Sequence, residues 1–130
     1  GVWYVVDVTS GGMIVGNEEV MSLKYFLMTD AENEKINKPD AGSYTDIKCN
    51  TKFDIYESLG YKMGSADEAA AYLKEFVKVA PAGKSSFEME LGYSITSDDS
   101  AVKEILDKMA QDISISYVGT GGIYCFVYER

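Results

Sequence analysis

The sequence predicts an α+β fold: a mostly antiparallel sheet of about 5–7 strands with two helices, about 66–79 and 98–111, packed on one face. Three observations predict it. Two segments alternate apolar and polar residues with the period of a half-buried strand. Two others repeat apolar residues at helical spacing behind a capping signal. The order strand–helix–strand–helix–strand–strand is not the regular alternation that builds a parallel sheet.

The first strand signal, Val2–Val8, is almost continuously apolar, as in a strand covered on both faces. Asp7 interrupts it and marks its solvated end. Gly11 and Gly12 suit a hairpin or bulge at Thr9–Gly12. Asn17–Ile36 carries two signals. Asn17, Glu18 and Glu19 spell a helix start, whereas Met21, Leu23, Tyr25 and Leu27 alternate like a strand. Tyr25-Phe26-Leu27 suits β structure, which favours the strand. The polar stretch 30–43 reads as a surface loop with a turn of helix. Over Thr45–Ile55, Ile47, Cys49, Thr51, Phe53 and Ile55 alternate with Asp46, Lys48, Asn50, Lys52 and Asp54. Tyr44 and Tyr56 extend the polar register at either end, so one face of this strand, or of two strands broken at Asn50-Thr51, is expected in water.

The first helix opens with the capping box Ser65-x-x-Glu68, shows the stripe Ala69, Tyr72, Leu73, Phe76, Val77, Ala80, and stops before Pro81. Gly83-Lys84-Ser85 resembles the end of a phosphate-binding loop. Lys78 stands where that motif needs a glycine, and the helix precedes the loop instead of following it. A helix-to-strand turn is predicted instead. In Phe87–Ile95 the residues Phe87, Met89, Leu91, Tyr93 and Ile95 alternate with Glu88, Glu90, Gly92 and Ser94. Ser97 opens the second helix with Asp98 and Asp99 in its first turn, ahead of Val102, Ile105, Leu106 and Met109. Ile113, Ile115 and Tyr117 then form a strand, and Gly119–Gly122 turns it into Ile123–Tyr128, whose apolar run predicts a central position.

With 130 residues, 46% of them hydrophobic, the chain is expected to form a single domain over 1–130 with a core of its own. Charge does not divide it: residues 1–65 carry 6 basic and 10 acidic groups, residues 66–130 carry 6 and 11. No apolar run approaches the ~20 residues of a membrane span. A start at Gly1 leaves both a cytoplasmic location and secretion after removal of a signal segment open.

A net charge of −9 argues against direct nucleic-acid binding. Histidine is absent, which removes the commonest general base and metal ligand, and neither metal nor cofactor is expected. Cys49 and Cys125 are too far apart for a CxxC site and are expected either as one disulfide or as two buried thiols. A bridge would close a loop of about 76 residues and contribute ~4–5 kcal/mol. Thiol catalysis would need a base beside the sulfur. Ten tyrosines stand out more than any acid. On the strand registers, Tyr44, Asp46, Asp54, Tyr56, Glu88 and Glu90 fall on polar faces. They predict a non-catalytic binding domain that meets a basic protein partner through an acidic, tyrosine-bearing sheet face, as an inhibitor or immunity-type protein does. Two alternatives stand beside it. One is a small apolar-ligand pocket between sheet and helices, lined by Tyr72, Phe76, Phe87, Met89, Tyr93 and Met109. The other is a carboxylate-dependent isomerase or cyclase with an enclosed acid.

Overall fold

A computed structural model of the chain describes residues 4–6, 12–37, 49 and 51–130. In chain order its elements are β1 (Gly12–Val15), β2 (Glu18–Met21), α1 (Asp30–Glu34), α2 (Ile55–Leu59), β3 (Lys62–Met63), α3 (Ala66–Val79), β4 (Lys84–Leu91), α4 (Asp98–Met109), β5 (Ile115–Thr120) and β6 (Ile123–Glu129). The fold is α+β. The chain divides into two compact units, Gly1–Met13 with Met21–Ile55, and Ile14–Val20 with Tyr56–Arg130.

The larger unit is a sheet covered by two helices. Strand order among the described residues is β3-β4-β6-β5, with β3 parallel to β4 and the other pairs antiparallel. The apolar run of β6 lies centrally, as its composition predicts. Alternation sends Phe87, Met89 and Leu91 of β4, and Tyr124, Phe126 and Tyr128 of β6, to one face. There they pack with Leu73 of α3 and with Val102, Ile105 and Met109 of α4. Burying each such aliphatic side chain stabilises the fold by about 1.5–3 kcal/mol. The Phe87 and Phe126 rings stack across the two strands at 4.9 Å between centroids.

Both long helices begin where the capping signals place them. Ser65 accepts from the Glu68 N–H at 3.2 Å, but the Glu68 carboxylate turns to the Gly64 N–H at 3.0 Å, so the box is not reciprocal. At α4, Ser97 and Ser100 do form a reciprocal box, and Ala110 ends the helix at φ 54. β4 starts earlier and stops earlier than predicted. Tyr93 and Ile95 leave the strand yet still pack against the core.

The predicted strand Val2–Val8 falls largely outside the described residues. Within it, Val5 exchanges two 2.8 Å backbone hydrogen bonds with Met28. The strand favoured for Asn17–Ile36 is corrected beyond Met21. Ser22 accepts from the Lys24 N–H and starts a 3-10 turn over Leu23–Tyr25. Leu27 at φ 57 then breaks the extended register, and Thr29 with Glu32 caps α1. That short helix is the turn expected within 30–43.

The strand predicted over Thr45–Ile55 is also corrected where it can be followed. Residues 51–54 have no regular structure, and Ile55 opens a helix. The reason is local: Gly60 at φ 76 closes α2 with hydrogen bonds from Tyr61 N–H to the Tyr56 carbonyl and from Gly60 N–H to the Glu57 carbonyl. This is a Schellman end, and the tyrosine it carries turns inward.

Candidate functional site

Among the described residues, tyrosine hydroxyls donate to carboxylates at two places. The first is buried on the sheet face opposite the helices. Glu88 of β4 stands across from Cys125 of β6 in the ladder. Tyr56 of α2 donates its hydroxyl to Glu88 Oε1 at 2.6 Å, and the Cys125 thiol donates to Oε2 at 2.7 Å. Glu88 is 9% exposed, and Tyr56 and Cys125 are each 4% exposed. A buried carboxylate persists when hydrogen bonds replace its water, and each bond to an ionised acceptor is stronger than a neutral one. The two bonds tie α2 and β6 to the Glu88 carboxylate of β4.

The second place lies at the start of α4 and is open. Asp98 and Asp99 are exposed there, in the first turn, where the helix dipole favours acids. Tyr124 of β6 donates to Asp98 Oδ1 at 2.6 Å, and Tyr117 of β5 donates to an Asp99 oxygen. Gly119 makes the first contact feasible. It faces Tyr124 in the β5–β6 ladder, and a Cβ there would overlap the Tyr124 ring. Burial, then the hydrogen bond from Tyr124 to Asp98, push the Tyr124 hydroxyl well above the ordinary tyrosine pKa. The bond to Asp99, then burial, raise that of Tyr117. Tyr93 packs nearby in the core, its pKa raised by burial and then by the charge of Glu104.

The residues singled out from sequence thus separate. Tyr44 and Asp46 lie outside the described residues. Asp54 is half-buried in irregular chain, and Glu90 is half-buried with Lys62 at 3.6 Å. Tyr56 and Glu88, expected on a wet face, are buried against each other. Neither cysteine is in a disulfide. The Cys125 thiol is on Glu88, and Cys49 lies in the smaller unit, where its N–H donates to Asp30 Oδ2 at 3.0 Å. Burial, with the Asp30 charge second, raises the Cys49 thiol pKa. Tyr72, Phe76, Phe87, Met89, Tyr93 and Met109 all lie in the sheet–helix layer, where the Phe76 and Phe87 centroids approach to 4.1 Å.

Tyr117, Tyr124 and the Asp98–Asp99 pair are the grouping that sequence reasoning missed. Its signal was present: two acids at a helix start, and two tyrosines on the core register of a hairpin. Only the packing of α4 over that hairpin joins them. No protein-family model, curated protein or solved structure matches the chain. Among the described residues, no group of three or more His, Cys, Asp or Glu side chains could hold a metal ion, and no helix is long and apolar enough to cross a membrane.

Proposed function

We propose that the protein is a non-catalytic binding domain that engages a basic protein partner through an acidic, tyrosine-bearing surface, centred on Asp98, Asp99 and Tyr117. The single observation that carries this reading is the uneven placement of charge. The larger unit holds 14 acidic and 7 basic residues, against 7 and 5 in the smaller, so −7 of the net −9 belongs to it. Its bases are largely engaged: Lys62 with Glu90, Lys84 with Glu18, Lys103 with Asp107 and Lys108 with Asp67. Arg130 donates to the carbonyls of Val77 and Lys78 at the end of α3. Asp98 and Asp99 take only neutral hydroxyl partners among these contacts and keep their charge for an incoming cation.

Such a surface steers a basic partner by long-range attraction, and tyrosine beside it supplies contact area at low entropy cost. An inhibitor or immunity-type role fits that surface. The test is binding to an immobilised lysine-rich polypeptide at rising salt. Affinity is expected to fall steeply as the Debye length shrinks from ~10 Å at 0.1 M to ~3 Å at 1 M. Binding that survives high salt undiminished contradicts the reading.

A further inference from the structure

Among the described residues, β5 is an edge strand, with Gly16 against the Ser116 side chain and nothing paired to its outer backbone. Gly121 and Gly122, at φ 60 and 80, form the two-residue turn that closes the β5–β6 hairpin on the Thr120–Ile123 pair. Hydrogen-bonded pairs alternate from there, so Thr120, Val118 and Ser116 bond to β6. The N–H and C=O groups of Ile115, Tyr117 and Gly119 consequently point away from the sheet. No strand among the described residues pairs with that edge. Edge strands are ordinarily blunted by lysine, proline or an inward charge. Ile113–Thr120 contains none of these, and Ser114, Ser116 and Val118 along it are exposed. The charge beside it has one sign. Asp99 is held on the Tyr117 hydroxyl, Asp98 adjoins it, and Asp112 precedes the strand, while Lys103 and Lys108 of α4 are ion-paired.

Resting on the binding reading above, we propose that this edge accepts an extended, lysine- or arginine-bearing segment of the partner as an added strand. Its backbone pairs with Ile115, Tyr117 and Gly119, and alternate cationic side chains reach Asp98 and Asp99. Charge selects this occupant over a second copy of the chain, because two molecules of net −9 would bring the same acids together.

The probe is an end-blocked hexapeptide alternating lysine and valine, with a glutamate–valine peptide as control. Amide exchange of the intact protein is the readout. The lysine peptide is expected to slow exchange at Ile115, Tyr117 and Gly119 by about tenfold or more, leaving Ser116 and Val118 unchanged. The glutamate peptide should do nothing. Ile115→Pro removes one outward N–H without touching the β6 ladder and should weaken the lysine peptide, with retained protection at Ser116 and Val118 reporting an intact fold. If the peptide binds and Asp98→Asn/Asp99→Asn weakens it, yet the three edge amides stay unprotected, the added strand is overturned and the binding reading survives. If no salt-sensitive binding occurs at all, both fall. Edge protection that rises with protein concentration alone identifies a second copy as occupant and also overturns the proposal.

Discussion

Glu88 and the Asp98–Asp99 pair both hold tyrosine hydroxyls, but one is sealed beneath a short helix and the other stands in water. The difference assigns them different work. A carboxylate at 9% exposure has exchanged its hydration for the Tyr56 and Cys125 bonds, so its energy is committed to the fold. An exposed carboxylate loses little water to a phenol and keeps most of its charge at the surface, where the proposed reading places a partner. Acid beside tyrosine is therefore not one signal. Burial decides which of two roles it has.

Substitution at Glu88 is expected to break the comparison most sharply. Glu88→Ala removes the acceptor of both the Tyr56 hydroxyl and the Cys125 thiol and should cost about 2–4 kcal/mol in urea unfolding. Gly119→Ala comes next, at about 1–3 kcal/mol, because the new Cβ displaces the Tyr124 ring from its place over β5. Loss of the Asp98-dependent upward shift of Tyr124 in a spectroscopic titration would confirm the route. Tyr56→Phe keeps the ring and deletes one bond to a buried charge, for about 1–2 kcal/mol. Asp98→Asn with Asp99→Asn should cost about 0.5–1 kcal/mol, the loss of two charges at a helix N-terminus, while weakening binding to a basic probe.

Alkaline pH sharpens the same contrast. Tyr72, Tyr93, Tyr117 and Tyr124 all have pKa values raised above 10.0 in the fold. The unfolded chain releases those protons near pH 10 while the folded chain retains them. Their stabilising contribution is complete below about pH 10 and is lost as pH rises through the folded values. The urea midpoint should therefore decline above that pH. The decline should be shallower in Asp98→Asn, where burial still raises the Tyr124 pKa but the carboxylate no longer does.

Much of the larger unit was legible because its signals are local. Ser65 and Ser97 cap the two helices, and Gly121-Gly122 closes a hairpin whose second strand reads as buried on both faces. The region before Ile55 was not, because alternation there competes with short-range hydrogen bonding. Ser22, Leu27 and Thr29 each end an extended run that hydrophobic period alone would continue. Tyr56 was misplaced for the same reason: the alternation over Thr45–Ile55 runs on to it, whereas Ile55 opens a short helix that Gly60 ends. The sites were less legible still. Glu88 meets Tyr56 across 32 positions and Asp98 meets Tyr124 across 26, separations that no local pattern encodes.

The central proposal, that the exposed Asp98–Asp99 pair beside half-buried Tyr117 and not acidity in general recognises a partner, is tested most directly by two double variants of equal charge change. Affinity for an immobilised lysine-rich polypeptide would be compared between Asp98→Asn/Asp99→Asn and Glu19→Gln/Glu75→Gln at 0.1 M salt. Glu19 and Glu75 are exposed acids elsewhere on the same unit. The account predicts a loss of about tenfold, or 1.4 kcal/mol, for the aspartate variant and less than about twofold for the glutamate variant. Equal losses in the two would contradict it.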